Sequence, residues 1–255
     1  MRTIVKYVVV DLIKSRIVLA YTVFLLAISF GIFSLDENAT KGIMSLMNVV
    51  LIIIPLVSII FSTIYVYNSS EFIELLVAQP LKRKTLWMSI YSGLAISLSV
   101  AFVIGVALPV LIYDGTVTGL ILIVSGLFLT LIFTAIALLA SVLTRDKAKG
   151  IGVAILVWFL FTLIYDAIVL LLLFQFSDYP LEKPMIALTM FNPVDLSRIL
   201  ILLKLDISAL MGYTGAIFKE FFGSTTGIGL SAFMLLLWAV VPVWISLKKF
   251  QRKDL

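Results

Sequence analysis

The chain has 255 residues, 62% of them hydrophobic and 13% charged, with a mean hydropathy of +1.21; soluble domains hold about 45–50% apolar and about 25% charged residues. A soluble domain of this size would need more polar residues to cover its shell, so the composition places the chain in a lipid bilayer. The absence of both Cys and His excludes disulfides, thiolate or imidazole metal sites and a Cys nucleophile, while Lys+Arg exceed Asp+Glu by only 19 to 14.

A bilayer-crossing helix takes about 20 mostly apolar residues. Six segments qualify, at 17–35, 46–67, 87–113, 117–143, 151–176 and 228–247. A β-barrel would alternate apolar and polar residues, and stretches such as Ile164 to Phe176 do not. The expected fold is therefore all-α, a single polytopic membrane domain over 1–255. Before the first span, Ile4, Val5, Val8, Val9 and Leu12 recur at helical spacing. Residues 1–16 read as an amphipathic interfacial helix, or else as a helical extension of the first span. The first span is read as a membrane helix, not a cleaved signal peptide, because it is longer than a usual signal-peptide core.

Between the second and third spans, residues 68–86 predict a short helix. Asn68 or Ser70 can cap it, Glu71 and Glu74 suit its positive N-terminus, and Pro80 stops it. Phe72, Leu75 and Leu76 give it an apolar face, to be covered by a partner or by the protein's own spans and lipid. The third span carries Ser89, Gly93, Ser97, Ala101 and Gly105 every four residues, a stripe suited to close helix packing or dimerisation. Pro55, Pro109 and Pro242 fall within or near the ends of spans, where they kink without forbidding the helix. The fifth span holds Asp166, the one acid or base other than tyrosine well inside a span. An intramembrane carboxylate is a functional candidate by default; the plainer expectation is a hydrogen bond to Ser, Thr or Tyr of a neighbouring span. One such group is too few for an ion-driven carrier.

Residues 177–227 form a connection too long to lack structure of its own. Asn192, Pro193 and Asp195 are a helix start, with Leu196, Ile199, Leu200 and Leu203 along one face. A second helix is expected at 214–222, bearing Ile217, Phe218, Phe221 and Phe222 and ending at Gly223. Both read as external helices, either capping the spans or docking a partner. Met185, Met190 and Met211 in the same stretch read as packing residues, not copper ligands.

Of the 19 Lys and Arg, 14 fall in 1–16, 68–86, 144–150 and 248–255, which makes those segments cytoplasmic and places both termini inside. No P-loop, H-E-x-x-H or G-x-S-x-G motif occurs, so no nucleotide site and no catalytic residue is expected in the chain itself. No basic tract with interleaved aromatics marks nucleic acid as a partner.

The stretch from Glu71 through Phe72, Glu74, Leu75, Leu76, Gln79 and Pro80 to Arg83 is similar to the E-x-L-L-x-x-P-x-x-R loop of the permease subunits of ABC-2-type transporters. The likeness covers essentially the whole chain. Phe191, Asn192, Pro193, Val194, Asp195 and Arg198, together with the ending Phe250 to Leu255, most resemble the NosY branch used in nitrous oxide reductase maturation. The resemblance implies an inner-membrane homodimer joined to two copies of a separate, NosF-like ABC ATPase, so ATP acts through that subunit and no cofactor is bound directly. Glu71, Phe72, Glu74, Leu75, Leu76, Gln79, Pro80 and Arg83 would form the coupling helix and its loop. Asn192, Pro193, Asp195, Arg198, Phe218 and Phe221 would grip a periplasmic copper-handling β-helix protein of the NosD kind. A general ABC-2 exporter of a lipid, drug or glycan, an intramembrane enzyme using Asp166, and a standalone channel are the competing expectations.

Overall fold

The computed structural model describes residues 2–35, 38–176, 182–205 and 221–252. Among them the ordered elements are all helices: α1 (Arg2–Ile13), α2 (Arg16–Leu35), α3 (Ala39–Asn68), α4 (Ser70–Val77), α5 (Arg83–Tyr113), α6 (Val117–Leu143), α7 (Lys147–Gln175), α8 (Glu182–Met190), α9 (Pro193–Lys204) and α10 (Thr225–Gln251). Six of these, α2, α3, α5, α6, α7 and α10, are long and apolar enough to cross a membrane. An even number of crossings returns the chain to the side on which it began. We call this the terminal end and the opposite side the far end.

The helices outrun the apolar windows that announce them, because capping side chains carry them past the first charged or polar residue. Asn38 accepts from the Thr40 amide at 3.1 Å, Asp146 from the Lys149 amide at 2.8 Å and Ser224 from the Gly227 amide at 3.0 Å. Thus α3 starts at Ala39, not 46; α7 starts at Lys147, not 151; and α10 spans 225–251, not 228–247. π-helical turns at Val103–Ala107 and Leu160–Ile164 interrupt α5 and α7.

The chain breaks between α1 and α2 at Lys14 and Ser15, so α1 is a separate helix and not an extension of the first span. The small-residue stripe of α5 explains where α1 and α2 sit. An added Cβ at Gly93 would lie 2.4 Å from Val8 Cγ1, and one at Gly105 would lie 2.5 Å from Leu25 Cβ. The stripe therefore packs within the chain, against α1 at Gly93 and α2 at Gly105. Helices α3, α5 and α6 form the buried centre. By contrast, only 6% of the most apolar stretch of α7 is buried.

Gly126 of α6 is the tightest contact in that centre, since a Cβ there would lie 2.3 Å from the ring of Phe102, which is fully enclosed. Gly126→Ala should therefore destabilise the fold by about 1–3 kcal/mol, read as a lower melting temperature of the purified protein. Gly152→Ala in α7, where nothing lies within 4 Å, should be neutral or slightly stabilising. Equal melting temperatures for the two variants would contradict this packing.

Candidate functional site

Two regions gather the residues that could carry function, one at each end of the bundle. At the terminal end, α3 runs into α4 through Ser69, which caps both helices through its backbone. Neither expected cap is used: Asn68 instead accepts from Lys147 Nζ at 2.7 Å, and Ser70 opens the helix. Ile73 is the buried residue of α4. Phe72 stacks on Tyr7 of α1 with ring centroids 5.2 Å apart, and Leu76 packs partly into the core. Leu75 alone of the expected apolar face stands open, at 68% exposure. Glu71, Glu74, Gln79 and Pro80 are exposed around it. Arg83 donates to the Gln251 carbonyl at 3.3 Å, and the next turn of α5 is held to α10 by Trp87, whose indole donates to Ser246 Oγ at 3.0 Å and stacks on Phe250.

At the other end, α8 and α9 turn on each other by 112° at Phe191 and Asn192. The tip does not lie outside the bundle. Trp238, at the midpoint of α10, donates to the Met190 carbonyl at 3.2 Å, roughly 20 Å along the helix from its far-end start. From there α9 climbs back until its Lys204 carbonyl accepts from Thr118, in the first turn of α6, at 3.3 Å. The pair is thus a re-entrant hairpin through the outer half of the spans, a correction to the expectation of helices lying wholly outside. The cause is the apolar face of α9, since Val194, Leu196, Ile199 and Ile201 are buried and packing them among the spans removes them from water.

The polar residues of the hairpin close a network around its tip. Asn192 caps α9 by accepting from the Val194 amide at 3.0 Å, with Pro193 at the first position. Its Nδ2 donates to Asp195 Oδ2 at 2.9 Å and to the Phe161 carbonyl at 2.8 Å. Phe161 lies in the π turn of α7, and such a turn leaves a carbonyl without its usual helical partner. Arg198 donates to Asp195 Oδ1 at 3.0 Å and to Asp166 Oδ2 at 2.7 Å. Tyr165, beside Asp166, donates to the Leu188 carbonyl at 2.5 Å. The partner of Asp166 is therefore a guanidinium and not a hydroxyl of a neighbouring span. The signal for it was present: an isolated acid in one apolar helix and an isolated arginine in another are each other's natural complement.

Of the residues expected to grip an external partner, Asn192, Asp195 and Arg198 are engaged in this network. Asn192 and Pro193 are buried; the side chains of Asp166 and Arg198 are about one-third exposed, at 32% and 30%, onto a cavity of about 290 Å³ that Met185 and Thr189 also line. Phe218 and most of the helix expected at 214–222 lie outside the described residues, while Phe222 is buried and Phe221 half-buried. Among the described residues, no group of three or more Asp and Glu is placed to hold a metal ion. A second, larger cavity of about 620 Å³ opens near the far end between α6, α9 and α10, lined by apolar residues such as Phe128, Leu203 and Leu235, with Lys204 the one cation among the described residues of its lining.

Asn192→Ala would remove the cap and leave the Phe161 carbonyl and one Asp195 oxygen without their donor. A loss of about 2–3 kcal/mol is expected, with a faster hydrogen exchange of the first α9 amides as the local readout. Unchanged exchange at Val194 would contradict the capping role.

The fold, with six helices long and apolar enough to cross a membrane, is that of a multi-pass helical membrane protein. Residues 31–255 match the ABC-2 family transporter protein family, and the chain belongs to it. Membership makes it a membrane-spanning transport component that implies an ABC ATPase partner. The chain is similar to a protein of Stutzerimonas stutzeri named "Probable ABC transporter permease protein NosY", 25% identical over 264 aligned positions that cover 92% of this chain and 90% of the relative. A protein of Pseudomonas aeruginosa with the same name is also 25% identical, over 274 positions covering 99% of this chain and 98% of its own.

Proposed function

We propose that the chain is the permease subunit of a NosY-like ABC-2 system: a homodimer in the inner membrane, driven by an ABC ATPase on the cytoplasmic side, that serves copper-site maturation of nitrous oxide reductase. The observation that carries this reading is the likeness to two NosY permeases over nearly the whole chain. The distribution of charge supports the orientation, with 14 of the 19 Lys and Arg in the segments assigned to the terminal end, which is then cytoplasmic. The open Leu75 among exposed Glu71, Glu74 and Gln79 gives α4 the form of a docking helix on that side. The homodimer is supported by α7, whose most apolar stretch is only 6% buried and whose Asp166 belongs to a one-third exposed ion pair. Charged groups facing lipid are costly, so a second copy over this side would shield them. Asp166, held by Arg198, acts in this reading as a structural anion and not as a catalytic group.

The second reading is an exporter of an amphiphile, favoured by the apolar cavity of about 620 Å³ near the far end. Copurification of the full chain from its own cells separates the two. Recovery of an ABC ATPase together with a periplasmic copper-handling protein, and loss of copper from nitrous oxide reductase when the chain is deleted, is the expected result. Stimulation of the ATPase by lipid or drug with nitrous oxide reductase fully copper-loaded in the deletion strain would overturn it in favour of the exporter.

A further inference from the structure

At the terminal end, α6 and α10 reach the membrane border side by side and leave a cavity of about 560 Å³ between their last turns. Its two halves differ in chemistry. Val142, Leu143, Trp244 and Ile245 make an apolar floor, and Arg145, Lys248, Lys249 and Arg252 make a cationic rim. Among the described residues, no acid lines it. All four cations are exposed, and none forms an ion pair among the described residues. The adjacent acid, Asp146, is engaged in capping α7.

A general excess of basic residues on one side of a membrane would scatter them, as Lys6 in α1, Lys14 in the break after it and Lys84 in the first turn of α5 are scattered. Here four converge on one concavity, and like charges held together without a counter-ion repel. The ammonium of Lys248 lies 3.5 Å from the ring centroid of Trp244, which fixes it at the line where floor meets rim. The floor is open sideways: Trp244 is 54% and Leu143 60% exposed on the flanks of spanning helices, where hydrocarbon chains run. A soluble anion would satisfy the rim and leave the floor bare. A molecule with a phosphate head and an acyl tail satisfies both.

We propose that this cavity is a binding site for an anionic phospholipid of the leaflet at the terminal end, with its phosphate among Arg145, Lys248, Lys249 and Arg252 and one acyl chain along Trp244 and Leu143. The lipid would brace the ends of α6 and α10 against each other.

The test is native mass spectrometry of the detergent-purified full chain, given equimolar phosphatidylglycerol and phosphatidylcholine of the same chain length. The wild type should retain phosphatidylglycerol with about a tenfold preference. Replacing all four residues (Arg145→Gln, Lys248→Gln, Lys249→Gln, Arg252→Gln) should bring the preference to parity, whereas Lys6→Gln, Lys14→Gln and Lys84→Gln together should leave it intact. Two gentler variants guard against misfolding: Lys248→Arg with Lys249→Arg should keep the preference, and Trp244→Ala should reduce bound lipid while all four charges remain. Glycerol phosphate at the same concentration should not displace the lipid. Equal retention of the two lipids by the wild type, an unchanged preference in the fourfold glutamine variant, or displacement by glycerol phosphate would each overturn the proposal. Loss of a copurifying ATPase from that variant with lipid retention unaltered would overturn it too, marking the rim as a protein dock.

Discussion

Arg198→Met should lower the melting temperature of the purified protein by about 10 °C, the largest effect expected of any single substitution in the hairpin. The reason is asymmetry of charge. Arg198 bridges Asp166 at 2.7 Å and Asp195 at 3.0 Å, so its removal leaves two acidic groups facing each other with no cation between them. Breaking a fully buried ion pair from one side costs about 3–5 kcal/mol, because the remaining charge keeps its desolvation penalty without its partner. With Asp166 and Arg198 one-third exposed, the lower end of that range, about 3 kcal/mol, applies here. Asp166→Asn should cost far less, since Arg198 retains Asp195 and the asparagine can still accept. Combining Arg198→Met with Asp166→Leu should recover more than half of the loss, as an apolar replacement of both partners avoids the stranded charge. If Arg198→Met and Asp166→Asn shift the melting temperature equally, the cluster is not organised around the guanidinium.

The second large effect concerns association. Leu75→Glu should weaken the complex with the ATPase at least tenfold while leaving the chain folded. At 68% exposure Leu75 contributes little to its own fold, and an interface that buried it would have to desolvate the new carboxylate. Phe72→Ala acts differently, because Phe72 is stacked on Tyr7 and its loss loosens α4 from α1. The comparison variant is Leu35→Glu, more open still at 87% exposure at the far end of α2, which should leave association untouched. Pull-down of the ATPase with each variant, alongside melting curves, reads both effects. An undiminished yield with Leu75→Glu would remove α4 from the coupling interface.

The spans were legible in the sequence because twenty-residue apolar windows have one meaning in a chain this hydrophobic. Their true ends were not, since Asn38, Asp146 and Ser224 extend the helices by capping amides that hydropathy ignores. The start of α9 was equally plain, from Asn192 and Pro193. Its position was not. Amphipathicity says that a face will be covered and is silent on whether lipid headgroups or neighbouring helices cover it. The contacts that draw the hairpin inward come from Phe161, in a π turn, and from the Trp238 indole, and neither has a signature in spacing. For α4, the pattern named Phe72, Leu75 and Leu76 and passed over Ile73, the residue that is enclosed, and it could not show that Phe72 stacks on Tyr7. Asp166 stood out as a lone acid, yet its distance from Arg198 is a property of the folded chain alone.

The clamp of Arg83 and Trp87 on Gln251, Ser246 and Phe250 fastens the root of the α4 loop to the last turns of α10. Twelve residues back along that same helix, roughly 18 Å, Trp238 holds the hairpin at Met190. Between the two lies Pro242, whose ring denies the Trp238 carbonyl its helical partner. The shaft joining the two ends of the molecule is therefore one hydrogen bond short, one turn beyond the residue that grips the hairpin. A push on the α4 loop, as the proposed coupling requires, would meet this weaker turn before it reached Trp238.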